Sequence, residues 1–297
     1  MVDQPRFRAV EPITPTYVGD RLLPLHERLS ALLRGLSSED WLRPTVAGAW
    51  RVRDIAAHLV DGSLRTVSSR RDAYRPRGGP VLRTYQDVVA YINVINREWV
   101  EASERLSPPL LIELLDRYGP LEAQLLAALP PHDRSPISVL WAGEMESENW
   151  MHVGREYTER WHHQLQIRDA VQGSSPTLIA DLLTYEWCYP ALDLSVRALP
   201  HAYREVEASD GSALLISVAG TGPAPWSADW TLRREDGRWS VWRGRTPIVS
   251  ATVVADADTM WRLLYNALPA NAARERMAVD GESSLAEPLF ETRSVMV

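Results

Sequence analysis

A chain of 297 residues, 45% hydrophobic and 24% charged, has the balance of a soluble globular protein, and its length suits two domains. Its formal charge of −7 and lack of a basic arginine run argue against a nucleic-acid partner, although all 32 basic residues are arginine. No run of about 18 apolar residues occurs, so no membrane span is expected, and the opening MVDQPRFRAVEP lacks the apolar core of a signal peptide.

Residues 1–16 are proline-rich and read as extended. Leu22, Leu23, Leu25, Leu29, Leu32 and Leu33 then give a helix over 17–36 a broad apolar face, with His26 read as solvated or capping. Ser37 to Asp40 carry helix-start chemistry, and RPTVAGAW ends in small residues that let the chain turn. A second helix is expected over 52–74, holding His58 among Ile55, Leu59 and alanines; Asp54, one turn earlier, reads as a cap. RPRGGP at 75–80 is a loop, and Tyr85, Val88, Val89, Ile92, Ile95 and Trp99 space a third helix over 84–106. Ser107 caps a fourth, with proline in its first turn, which runs to about residue 129 with a bend at Gly119-Pro120. PPHDRSP at 130–136 is a loop with an exposed His132. Residues 144–172 read as one long helix closed by Gly173-Ser174-Ser175-Pro176, and a further helix reaches Leu199 with a kink at Pro190. Cys188, the single cysteine, excludes an intramolecular disulfide, fits a reducing cytoplasm and reads as a small buried hydrophobe.

From Tyr203 the period changes. YREVEAS, SALLISVAG, WSADWTLRRE, RWSVWRG and SATVVADA alternate, are rich in Val, Ile, Trp and Thr, and are separated by Asp210-Gly211 and Asp236-Gly237. An antiparallel sheet built from hairpins is expected, followed by helices over 258–268 and 271–277 and a last helical turn over 284–290. The layout is therefore α plus α+β: a helical domain over residues 1–200 and a small α+β domain over 201–297.

The long helix over 144–172 carries the chemistry. Glu159 and His163 stand four residues apart and share a helical face, and His152 and Glu156 extend the same stripe backwards. A core-facing stripe is normally apolar, and acid and imidazole are costly to bury without a positive partner. A divalent metal is such a partner, because carboxylate oxygen and neutral imidazole nitrogen are both ligands of first-row ions. The third ligand candidate is His58, from a separate helix. Each feature alone has a plainer reading, a packed histidine for His58 and a solvated helix pair for Glu159 and His163; together they outline a three-ligand site. His162 points about 100° away from His163 and suits a supporting or surface position. His152 lies roughly 16 Å from His163 along the axis, too far for the same ion, which leaves a structural or substrate-pocket role. Glu156 is left as a supporting acceptor or an occupant of the open site, and Gln166 as a partner of a ligand or of the helix behind it.

The run Trp50-Arg51-Val52-Arg53-Asp54-Ile55-Ala56-Ala57-His58-Leu59 resembles the W-x-V-x-D-x-x-x-H-L signature of the DinB/YfiT-like metalloproteins, and more narrowly their mycothiol-dependent maleylpyruvate isomerase-like branch. Glu159-x-x-x-His163 followed by Gln166-Ile167 matches the E-x-x-x-H form of the later motif. VVADADTMWRLLYNAL and MAVDGESSLAEPLF are similar to the closing segment of that branch. The resemblance implies a DinB-like four-helix bundle followed by a sterol-carrier-protein-like α+β domain. It also implies metal ligation by His58, Glu159 and His163, with zinc first and nickel or another divalent ion as alternatives. A low-molecular-weight thiol such as mycothiol would be cosubstrate, a small electrophile the substrate, and isomerisation or S-transfer the reaction. The acidic substrates of that branch call for an arginine; Arg243, Arg245 and Arg262 are available, and each alone reads as solvated. No catalytic side chain is assigned, and the assembly is left open, with a homodimer as one option. A hydrolase on the same metal, or a non-catalytic ligand-binding protein with a structural metal, are the competing readings.

Overall fold

The computed structural model describes residues 10–78, 80–81, 83–173, 177–220 and 224–294. The expected closure at Ser174-Ser175-Pro176, Gly79 of the RPRGGP loop and the first nine residues lie outside them. The chain divides into two compact units: Tyr17–Leu140 with Glu146–Ile179, and Ala180–Met296 with Met1–Thr16 and Trp141–Met145. A helical N-terminal region is thus followed by a region built on a sheet, as the change of period at Tyr203 led us to expect.

The helical unit contains α1 (Leu22–Arg34), α2 (Val52–Arg70), α3 (Tyr85–Ser103), α4 (Pro108–Ala127) and α5 (Asn149–Val171). Local chemistry sets several of its ends. Thr84 and Asp87 form a reciprocal capping box, with Asp87 N–H donating to Thr84 Oγ1 at 3.1 Å and Thr84 N–H to Asp87 Oδ2 at 2.9 Å. Ser107 Oγ accepts from Leu110 N–H at the start of α4, and Asp54 accepts the Arg51 N–H at 2.9 Å, so the capping role read for Asp54 holds. α4 runs unbroken through Pro120.

α5 begins at Asn149 rather than at residue 144. The preceding stretch is held extended against the 130–139 loop. Ser135 N–H donates to Ser147 O at 2.8 Å, Val139 N–H to Ser147 Oγ at 2.8 Å, and Asn149 N–H to Asp133 O at 2.9 Å. His132 of that loop is exposed and bonded to Glu148 and Tyr17 Oη, each at 3.0 Å.

α2 is the central rod, packed against α3, α4 and α5. Ile55, Ala56, Leu59 and Val60 of α2 close on Leu29 and Leu33 of α1, Leu111 and Leu115 of α4 and Ile167 of α5. Small residues at 56 and 57 keep the neighbouring helices close to α2 while His58 stands on the same turn.

His26 is not solvated, contrary to the reading from sequence. It is buried at 4% exposure, and its ring lies where a Cβ on Gly119 would stand, 2.0 Å from that position. Burial, then the Arg160 charge, pushes its pKa down to about 4, so it is a neutral core group. α1 and α4 meet closely there because Gly119 has no side chain.

Among the described residues the second unit carries six strands: β1 (Glu11–Pro12), β2 (Ala213–Gly220), β3 (Trp226–Glu235), β4 (Arg238–Arg243), β5 (Ala251–Asp256) and β6 (Ala278–Gly281). Their order is β1-β4-β3-β2-β5-β6. β3 and β4 form a tight hairpin in which Asp236 and Gly237 both take positive φ, 50° and 71°, the conformation that the Asp-Gly pair supports. The sheet is mixed, not purely antiparallel. β1 occupies the outer edge of β4, and β5 adds instead beside β2, parallel to it, with Leu214 opposite Ala251.

YREVEAS forms turns instead of the expected strand: Tyr203 N–H bonds back to Leu199 O and Val206 N–H to Tyr203 O, both at 2.9 Å. The helix expected to reach Leu199 is broken into α6 (Thr177–Ala180), α7 (Tyr185–Ser195) and α8 (Leu199–Ala202). α9 (Ala257–Leu264), α10 (Ala270–Arg276) and α11 (Ser283–Glu291) follow. Cys188 is fully buried in α7, as read.

Replacing Gly119 with Ala forces the His26 ring to move, and overpacking of this kind costs about 1–3 kcal/mol. Urea unfolding of Gly119→Ala should show a loss of that size.

Candidate metal centre

α2 carries His58 and α5 carries Glu159 and His163, and the packing of α2 on α5 brings the three together. His58 Nε2 is 3.9 Å and His163 Nε2 3.3 Å from Glu159 Oε2, and the three atoms all lie within 4.8 Å of one another. Four ligands at ~2.1 Å around a tetrahedral ion stand roughly 3.4 Å apart. The spacing therefore suits a divalent ion after small side-chain adjustments. The Trp50 ring lies 5.0 Å from that of His58 and 6.2 Å from that of His163, an apolar wall beside the cluster.

Hydrogen bonding orients one imidazole. His163 Nδ1 is 2.8 Å from Gln166 Oε1, an acceptor only, so Nδ1 carries the proton. In the neutral ring Nε2 then presents a lone pair toward the Glu159 carboxylate. Two lone pairs facing each other call for a positive centre between them. That arrangement is the one a metal-ligating histidine adopts, with its far nitrogen fixed by a side-chain acceptor.

The electrostatics agree. Burial pulls the Glu159 carboxyl upward, but contacts from His162, His163 and His58 outweigh it and hold the group well below the usual carboxylate range. Burial lowers His58, with the neighbouring His163 adding to it, so His58 favours the neutral ring that a cation can use. His162 is buried, its Nε2 3.6 Å from Glu159 Oε2 and its ring 4.1 Å from that of His163. Burial takes it down to about 4, and it supports the acid from beside the three.

Other residues fall into place around the cluster. Gln166 bonds His163, the first of its two readings. Glu156 does not project into the open site: it is held by Arg155 and by Arg160 Nη1, the latter at 3.3 Å. Arg160 also pairs with Glu122, which is fully buried and accepts from Ser63 Oγ at 2.5 Å and Thr66 Oγ1 at 3.1 Å. Sequence reasoning missed this network; the Glu156–Arg160 spacing of four was its only local signal.

The three arginines considered for an acidic substrate are all engaged within the sheet-containing unit. Arg243 is not solvated: it donates to the buried Asp193 at 2.8 and 2.6 Å and to Thr14 and Thr16. Arg245 pairs with Asp229 at 3.3 Å, and Arg262 with Asp258 at 2.9 Å while lying over the Trp261 ring.

Removing Arg160 leaves two buried carboxylates without their shared cation. Loss of one partner of a buried pair costs about 3–5 kcal/mol. Arg160→Met should therefore lower unfolding stability by an amount in that range, whereas Arg245→Met, at the half-exposed pair, should change it little.

Residues 22–168 match the family described as Mycothiol maleylpyruvate isomerase N-terminal domain, a span that contains His58, Glu159 and His163. No curated protein matches the sequence. Among solved structures, the chain is similar to the crystal structures of the mycothiol-dependent maleylpyruvate isomerase and of a histidine-to-alanine mutant of it. Each likeness is at 12% identity and a TM-score of 0.45, over 89% of this chain and 94% of that one. Across residues 22–168 the chain belongs to the mycothiol maleylpyruvate isomerase N-terminal domain family.

Proposed function

We propose that His58, Glu159 and His163 hold one divalent ion, zinc-like in its preferences, and that the chain is an enzyme using a low-molecular-weight thiol such as mycothiol to isomerise, or transfer sulfur to, a small electrophilic substrate. The observation that carries this reading is the convergence of the three groups, from two helices, inside the span matched to the isomerase family. In the same reading residues 1–200 form a DinB-like four-helix bundle and residues 201–297 a sterol-carrier-protein-like domain. A thiol cosubstrate fits a reducing cytoplasm.

Bound there, such an ion supplies a Lewis acid that favours the thiolate over the thiol at neutral pH. The protein's own part is to orient and to exclude water. Gln166 fixes the tautomer of His163. His162 helps keep Glu159 ionised. Trp50 closes an apolar side of the centre, where charge interactions are screened less by water. For isomerisation the cosubstrate sulfur adds to an activated double bond, the resulting single bond turns, and the sulfur leaves with its electron pair. The thiol is regenerated and no oxidant is consumed.

Metal analysis of protein purified without an affinity tag should find about one divalent ion per chain. His163→Ala should lose the ion and most thiol-dependent turnover. Gln166→Leu should weaken metal affinity ~10–100-fold, the usual effect of removing an outer partner of a metal-bound histidine. Turnover that needs no thiol would point to hydrolysis, and a metal-bound protein with no turnover at all would point to a structural ion.

A further inference from the structure

Away from the candidate metal centre, three side chains near the start of α5 line up as hydroxyl, imidazole and carboxylate. Tyr17 Oη is 3.0 Å from His132 Nε2, and His132 Nδ1 is 3.0 Å from Glu148 Oε2. All three belong to the helical unit. Glu148 precedes Glu159 by eleven residues, roughly 16 Å along a helix axis at ~1.5 Å per residue, so the two clusters are separate.

The direction of the two bonds follows from the carboxylate. Hydrogen bonds from His132 and from Trp150 Nε1, the latter at 2.7 Å, hold the Glu148 carboxyl below the usual carboxylate range. An ionised carboxylate only accepts, so His132 Nδ1 carries the proton. Nε2 of the neutral ring then offers its lone pair to the phenol, and the Tyr17 hydroxyl donates to it. A nucleophile within reach of a base, with the base oriented by a third group, is the arrangement that activates a hydroxyl.

The backbone holds the cluster in place although its side chains are exposed. Asn149 N–H donates to Asp133 O and Trp150 N–H to Pro131 O, each at 2.9 Å, so the residues on both sides of His132 are tied to the start of α5. Val18, next to Tyr17, is buried, and Gly19 passes close to α4: a Cβ on it would stand 3.3 Å from Ala127 Cα. Glu148 is the N-cap residue of α5, yet its side chain makes no capping bond and is left to the imidazole and the Trp150 indole. Contacts this exposed add little to stability. What they change is the chemistry of the phenol.

We propose that Tyr17 is a nucleophile that takes up an acyl group from an activated ester or thioester, with His132 as its base and Glu148 positioning the imidazole. The phenol oxygen attacks the acyl carbon while its proton passes to His132 Nε2. The adduct expels the alcohol or thiol with the bonding electron pair, and that group takes the proton from the imidazolium. The products are an ester of Tyr17 and a free alcohol or thiol, and the imidazole is neutral again. An acyl donor fits better than a phosphoryl donor. None of the three side chains is bonded to a guanidinium among the described residues, and phosphoryl transfer needs cations to gather its charge.

The test is acetylation of the full chain with p-nitrophenyl acetate, followed over time by peptide mass mapping. The sequence contains no lysine, so side-chain amines do not compete. Tyr74, 61% exposed against 55% for Tyr17 and without an imidazole partner among the described residues, is the internal standard. Tyr17 should acetylate roughly 100-fold faster than Tyr74, the gain expected from a positioned base. His132→Gln should bring Tyr17 down to the Tyr74 rate. Glu148→Gln should slow it at least about tenfold, because the imidazole loses its fixed tautomer. Urea unfolding curves and an unchanged rate at Tyr74 check that each variant keeps its fold. His163→Ala, which bears on the metal centre alone, should label at Tyr17 as the native chain does.

Labelling of Tyr17 no faster than that of Tyr74 in the native chain would overturn the proposal. So would labelling that is unchanged in His132→Gln, that is lost with His163, or that falls only on the amino terminus.

Discussion

The structure depends on making it tolerable to place the Glu159 carboxylate inside a helical bundle. A partly buried acid normally gives up its charge or finds a cation. Here it keeps its charge because three imidazoles crowd around it, two from its own helix and one from α2. His58 and His162 are pushed toward the neutral form and are weak counter-ions. A carboxylate beside two such rings and a third imidazole whose far nitrogen is held by Gln166 is a set of ligands more than a set of ion pairs. The cluster makes electrostatic sense when a cation completes it.

The surrounding fold serves that arrangement. α2 is packed on three sides, so His58 is set by the core and not by a loop. Farther along α5, Glu156, Arg160 and Glu122 tie that helix to Ser63 and Thr66 of α2. The same two helices are thus pinned twice, once by the polar network and once at the candidate centre. Pinning of this kind limits the relative slide of the helices, which a three-ligand site needs more than it needs raw stability.

Much of this was legible in the residues. The spacing of Glu159 and His163 puts them on one face whatever the rest of the chain does, and the run from Trp50 to Leu59 pointed to His58 as their partner. The helices of the first unit were visible from their leucine and valine periods, and the Asp236-Gly237 hairpin from its turn. What could not be read depended on contacts distant in sequence. His26 looks solvated until Gly119 is seen to admit its ring. The acidic stretch before Asn149 has helical composition but spends its backbone groups on the 130–139 loop. The residues after Tyr203 alternate like a strand yet find no neighbouring strand. β5 was expected in a hairpin, but the edge of β4 is taken by β1, a two-residue strand too short to announce itself.

The central claim is that His58, Glu159 and His163 are ligands of one ion. X-ray absorption at the metal edge, on protein as purified, tests it most directly. The account predicts a first shell of nitrogen and oxygen at ~2.0–2.2 Å with the outer-shell scattering of two imidazoles, reduced to one in His58→Ala. A spectrum of a fully hydrated ion, or one unchanged in His58→Ala, would contradict it.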